Sequence, residues 1–131
     1  MSNLDKNYML KLDLAEKVKN DEMEFSLSDN DTSVFYVTIT RQEEKVDLKN
    51  AQVTFYVIKP DKKSYKSTDL VYDNSKELFY CNLTTEFKDA IGQYVGQIVV
   101  YDSTTQEKII IPSRIYYSVN SDILAEIMKL V

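Results

Sequence analysis

Side chains able to do covalent or acid–base chemistry are few in this chain and poorly arranged for it. Among its 131 residues there is no histidine, which removes the commonest general base and metal ligand near neutral pH. The single cysteine, Cys81, sits in the alternation Phe79, Cys81, Leu83. That is the pattern of a small buried hydrophobe rather than a nucleophile or redox sensor, and one cysteine allows no internal disulfide. The carboxylates Asp29 and Asp31, and again Glu43 and Glu44, lie in expected turns where solvated charge is the ordinary state, and a serine or cysteine nucleophile would still need a base. Asp29-Asn30-Asp31 offers oxygens of the kind calcium takes, but the glycine and distal bidentate glutamate of an EF-hand loop are missing. Gly92 and Gly96, the two glycines of the chain, cannot build a phosphate-cradling loop. Asn30-Asp31-Thr32 and Asn82-Leu83-Thr84 fit the glycosylation sequon, yet without a secretory signal they read as chance matches. The expectation is a protein that is not an enzyme, with no catalytic residues, no metal and no cofactor.

Tyrosine is the remaining chemical resource, with ten copies against no tryptophan. Three doublets, Phe35-Tyr36, Phe55-Tyr56 and Phe79-Tyr80, recur, and Tyr116-Tyr117 repeats the theme. Neighbouring side chains on a strand point to opposite faces. If the phenylalanines face a core, Tyr36, Tyr56 and Tyr80 face outward together, and each changed to Ser should cost under about 1 kcal/mol. Such a row is either ordinary solvated sheet, which tyrosine suits, or a surface covered by another molecule. A sugar-recognising module would stack tyrosines on pyranose faces beside Asn, Asp or Gln side chains, although tryptophan is the favoured platform for that. The candidate interface is therefore Tyr36, Tyr56, Tyr80 and Tyr116, together with Ile123, Ile127 and Leu130 from the end of the chain.

Residues 46–61, VDLKNAQVTFYVIKPD, show what must position these rings. Val53, Phe55 and Val57 share one face of a period-two strand while Thr54, Tyr56 and Ile58 share the other. Phe55→Ala should therefore open a core cavity. The same alternation appears at Tyr8, Leu10, Leu12 and Leu14, at Met23, Phe25 and Leu27, and at Phe35, Val37 and Ile39. It returns around Asp73-Asn74-Ser75 and in two longer strands, 93–101 and 108–119, the second demoted in part to an edge or bulge by Pro112. The charged stretch AEKVKNDE has no apolar stripe and reads as a solvated connector. At LTTEFKDAIGQY, Thr85 can cap a single helical turn through Ile91, with Gly92 supplying a positive-φ exit. Ser121-Asp122 opens a helix of about ten residues whose Ile123, Ile127 and Leu130 share a face with Leu124 and Val131 close by. That stripe either tucks back onto the sheet or begins a helical stalk, because isolated helices this short are marginal in water.

One domain's worth of chain, seven to nine short strands and two brief helices predict an all-β, antiparallel β-sandwich of immunoglobulin-like outline, without the Cys and Trp hallmarks of antibody domains. The expected division is an N-terminal strand or arm and connector over 1–20, the sandwich over 21–120, and the start of a C-terminal helix over 121–131. Sixteen Lys and Arg against 21 Asp and Glu leave a formal charge of −5, so nucleic acid is not an expected partner. Nor is a membrane: no run of eighteen apolar residues exists, and MSNLDKNYMLKLD lacks the basic-then-apolar build of a signal peptide. Lysine outnumbers arginine heavily, and abundant Asn, Ile and Tyr point to an AT-rich, low-GC bacterial setting.

These pieces also carry a resemblance. The order FSLSDNDTSVFYVTITRQEEKVDLKNAQVTFYVIKPD, then YCNLTTEFKDAIGQYVGQIVVYD, then a strand running into SVNSDIL, resembles the N-terminal domain family of phage baseplate upper proteins over roughly residues 22–123. The family's acidic turn corresponds to Asp31-Thr32 and its short extra-sheet loop to residues 41–45. Its V-D-L-[polar]-A-x-V-x-F-like unit corresponds to Val46, Asp47 and Leu48 with Ala51, Val53 and Phe55, and its G-x-Y-x-x-x-I strand to Gly92, Tyr94 and Ile98. Gln42-Glu43-Glu44 stands where such turns often use glycine. The resemblance implies a structural component of a phage or prophage tail, in the baseplate of particles that infect Gram-positive hosts and made in the host cytoplasm. It implies attachment to the baseplate core and a helical segment leading to trimeric parts that carry host-binding tips. The implied partners are other tail proteins, the receptor-binding protein and further copies in a homotrimer. The alternative is a glycan- or receptor-binding sandwich, and an expected helix reaching residue 131 suggests a fragment or a short N-terminal domain.

Overall fold

A computed structural model describes residues 6–30 and 32–130. In chain order its elements are β1 (Lys6–Asp13), β2 (Met23–Ser26), β3 (Ser33–Arg41), β4 (Glu44–Lys45), β5 (Gln52–Ile58), β6 (Tyr65–Asp69), β7 (Val71–Asp73), β8 (Leu78–Asn82), a 3₁₀ turn (Thr85–Phe87), β9 (Gly92–Asp102), β10 (Glu107–Asn120) and α1 (Ile123–Met128). One sheet runs β1-β3-β8-β7 with β4 added to β3, and the other runs β2-β10-β9-β5-β6. The expected all-β sandwich is the fold. Its sheets are mixed, because the two N-terminal strands pair in parallel, β1 with β3 and β2 with β10, whereas every hairpin-linked neighbour is antiparallel. Short turns permit only antiparallel neighbours, and strands reached by longer connections are free of that constraint.

Alternation decides which side chains fill the space between the sheets. Leu10 and Leu12 of β1, Phe35, Val37 and Ile39 of β3, Val53, Phe55 and Val57 of β5, and Phe79 and Cys81 of β8 are all buried, as the period-two reading requires. Phe35 meets Phe55 edge-on across the sandwich, ring centroids 5.3 Å apart. Gly96 makes that contact possible, since a Cβ at this position would lie 2.2 Å from the Phe55 ring. Toward the other end, Tyr117 stacks on Tyr94 at 4.7 Å and takes Phe25 edge-on at 5.9 Å. Both tyrosines are fully buried, so their hydroxyls need partners. Tyr117 Oη donates to the Phe87 carbonyl at 2.7 Å, and Tyr94 Oη accepts from the Ala90 N–H at 3.0 Å. Two core rings thus anchor the segment between β8 and β9.

That segment differs from its expected helix. Only Thr85–Phe87 forms a 3₁₀ turn, flanked by an extended Thr84 whose side chain makes no cap bond, and the turn ends at Lys88 rather than Ile91. The two tyrosine hydroxyls compete for the backbone groups a longer helix would use internally. Gly92 keeps its positive φ, +132°, but opens β9 against Pro60. Around Pro112 the β9–β10 register shifts between Ile110 and Arg114, the bulge proline was expected to impose.

The turn without glycine resolves clearly. Gln42 and Glu43 both take positive φ, 50° and 70°, as a two-residue type I′ hairpin requires. Asp13, buried beneath it, holds the turn: its carboxylate accepts from the N–H groups of Ala15 at 2.9 Å and Glu16 at 3.1 Å, from Thr40 Oγ1 at 3.1 Å, and from the Glu43 N–H at 3.4 Å. These donors, the Ala15 N–H foremost, lower its carboxyl pKa.

Candidate functional site

Placing the tyrosines on strands splits the expected row. Tyr36 and Tyr80 face each other across the β3–β8 ladder on the outer side of the first sheet, ring centroids 6.1 Å apart. Tyr36 is only 4% exposed, because Val34, Leu78 and Tyr80 close around it as a second, smaller apolar cluster, with Lys76 Nζ 4.8 Å above its ring. Tyr56 of β5 and Tyr116 of β10 belong to the second sheet, where they flank β9 opposite Gln97 and Val95; they are 46% and 40% exposed. The expectation that Tyr36, Tyr56 and Tyr80 share one outward surface is therefore corrected. All point away from the core, but β5 lies in the other sheet, so the rings are on opposite sides of the sandwich.

The outer side of the second sheet carries Tyr56, Ile58 and Tyr116 as exposed apolar residues. Tyr56, Ile58 and Tyr65, with Val95 and the Arg114 side chain, line a shallow open groove there.

The remaining candidates lie beyond β10. Ile123 and Ile127 on α1 and Leu130 just past it are exposed, as are Leu124 and Met128, all between 48% and 85%, and no residue of the helix is buried. The helix is shorter than expected, six residues, and does not tuck back onto either sheet. Its start is nevertheless fixed. Asp122 caps it by accepting from the Ala125 N–H at 2.8 Å, and the same carboxylate accepts from the Ser28 N–H at 2.8 Å and Ser28 Oγ at 2.7 Å. The Leu27 N–H, next in line, donates to the Asn120 carbonyl at 2.9 Å. Bonds from Ser28 and the helix cap hold the Asp122 carboxyl pKa below its ordinary value. The sequence signals Asp122 as a cap; nothing in it signals Ser28 as its second partner, 94 positions away.

Residues weighed for catalysis are dispersed. Burial pushes the Cys81 thiol up to about 12, far from a thiolate at neutral pH. Glu43 and Glu44 are exposed in the β3–β4 hairpin. Asp29 folds its carboxylate onto the Ser26 N–H at 2.9 Å, and the Asp31 half of that pair lies outside the described residues. Among the described residues no three His, Cys, Asp or Glu side chains come together as a metal group, and no helix is long and apolar enough to cross a membrane.

Comparison with known proteins follows the same outline. A family model described as BppU N-terminal domain matches residues 6–129, nearly the whole described chain including α1. In structure, the chain is similar to the N-terminal domain of ORF48 from phage TP901-1, with a TM-score of 0.67 and 11% identity, over 87% of this chain and 98% of that one. At that identity the likeness is one of fold. No curated protein matches the sequence.

Proposed function

The chain belongs to the BppU N-terminal domain family, the N-terminal domains of phage baseplate upper proteins, and from that premise we propose that it is an assembly module that attaches to a tail baseplate core and leads by a helical segment to host receptor-binding parts. The family supports a structural role in a phage tail. The finer reading rests on α1, whose apolar side chains are all in solvent while Asp122 and Ser28 fix where the helix leaves the sandwich. A short helix with an uncovered apolar stripe gains stability by packing against like helices; here they are those of two further copies, in a homotrimer. The exposed Tyr56 and Tyr116 face supplies contact area toward neighbouring tail proteins, with the receptor-binding protein held beyond the helix. Synthesis takes place in the host cytoplasm, before assembly into the virion.

Purified full-length chain mixed with isolated baseplates lacking it, and separately with host cell walls, tests this reading by co-sedimentation. Binding to baseplates is the expected result. Retention on cell walls alone would replace the assembly module with a glycan- or receptor-binding domain.

A further inference from the structure

Among the described residues four strands end the two sheet paths, with the two-residue β4 paired to β3 beside them, and a side chain bonds to the outer backbone of two of the four. On β1, the Asn20 amide pairs with Lys11 as a neighbouring strand would: Oδ1 accepts from the Lys11 N–H at 3.0 Å and Nδ2 donates to the Lys11 carbonyl at 2.7 Å. On β2, the Tyr8 hydroxyl donates to the Glu24 carbonyl at 2.9 Å and accepts from the Glu24 N–H at 3.1 Å. Plugging of this kind protects an edge from pairing with another chain. The third edge, β7, has three residues.

The fourth edge, β6, is open. Its even-numbered residues turn their backbone groups toward β5, as the bonds from the Leu70 N–H to the Val53 carbonyl at 2.7 Å and from the Lys59 N–H to the Ser64 carbonyl at 2.9 Å show at the two ends of the pairing. By the alternation of an antiparallel ladder, Tyr65, Ser67 and Asp69 then direct their N–H and C=O groups outward, and no described side chain bonds to them there. All three side chains are exposed, and Tyr65 continues the apolar area of Tyr56 and Ile58 up to the edge.

We propose that β6 pairs antiparallel with β6 of a second copy of this chain about a two-fold axis at Ser67, joining the two second sheets into one. This contact goes beyond the tail reading and stands independently of it. The edge is self-complementary. Ser67 meets Ser67 of the other copy, and Tyr65 meets its Asp69, so the three outward residues of each copy become hydrogen-bonded pairs with no like charges directly opposite. Lys66 meets Thr68 and is already answered by Glu86 of its own chain at 3.8 Å. Charge runs the same way along the strand: Lys62 and Lys63 lie before β6, Asp69 closes it, and antiparallel pairing sets the basic end of each copy beside the acidic end of the other, which parallel pairing does not. Isologous contacts of this kind close as dimers.

Sedimentation equilibrium of the full chain from about 10 µM to about 1 mM spans the affinities expected of so small a contact. The wild type should associate. Ser67→Lys and Ser67→Asp, each placing like charges across the axis, should each weaken association about tenfold or more with unchanged circular dichroism. Mixing the two should restore it. Ser67→Pro, which removes the outward N–H without adding charge, should match the single charged variants, whereas Ile127→Ser on α1 should leave this contact intact. A wild type monomeric throughout, charged variants that associate like the wild type, or a mixture that fails to recover would each overturn the proposal.

Discussion

Two apolar surfaces of this molecule have opposite fates. Between the sheets, Phe35, Phe55, Tyr94 and Tyr117 lose all contact with water, and the two tyrosine hydroxyls settle on the backbone of the β8–β9 segment. On α1, the isoleucine, leucine and methionine side chains stay in solvent, and the Asp122 carboxylate ties the start of the helix to Ser28. Burial, rather than hydrophobicity of the residue type, separates a side chain that stabilises this fold from one available to something else.

Changing the best-packed ring should produce the largest effect. Phe55→Ala removes the partner of Phe35 and the ring that Gly96 accommodates, so it should cost about 3 to 5 kcal/mol in denaturant unfolding. A neutral result would mean that the strand's facing is inverted. Next comes the tyrosine that changed sides of the comparison. Tyr36, enclosed by Val34, Leu78 and Tyr80, should lose about 2 kcal/mol as Tyr36→Ser, where its position on an outward face alone would have predicted little. A cost below about 0.5 kcal/mol would return it to the exposed class.

Acid should act on the carboxylates that organise the turns, Asp13 in particular. Its folded carboxyl releases its proton more readily than the unfolded one, whose ordinary value is 3.8, so on acidification the unfolded chain binds more protons. The stability this group contributes is present above about pH 4 and is lost as pH falls through the lower folded value. Thermal unfolding followed from pH 7 to about pH 2.5 should show a shallower acid limb in Asp13→Asn than in the wild type. An identical limb would assign the acid sensitivity to other carboxylates, of which Asp61, Asp73, Asp89 and Asp122 are shifted the same way.

The smallest changes belong to the uncovered surfaces. Tyr56→Ser and Ile127→Ser should each shift unfolding by less than about 1 kcal/mol. The second should still abolish any helix-mediated trimer seen by light scattering after size exclusion. If Ile127→Ser destabilised the monomer as a core substitution does, α1 would have to pack on the sandwich in solution.

Much of the fold was legible along the chain because strand periodicity is a local property. The burial of Val53, Phe55 and Val57, the facing of Phe35 and Phe79, the inert Cys81 and the bulge at Pro112 each follow from a few neighbouring residues. The candidate site was less legible. Period two assigns Tyr56 to the side away from the core without saying which sheet holds β5, so the shared row of tyrosines came apart once the strand order was known. The turn at Gln42-Glu43 resisted a local reading for a similar reason: its positive φ values are held by Asp13, a residue of another strand.

The sequence by itself determined an all-β chain with a period-two core and a capped terminal helix. Tertiary structure alone decided that Tyr8 and Asn20 plug the edges of β2 and β1, that Ser28 shares the Asp122 carboxylate, and that β6 stays open. The physical reason is the range of the interactions. Alternation and capping act over a few residues, whereas the state of an edge depends on which distant side chain arrives within hydrogen-bond reach of its backbone.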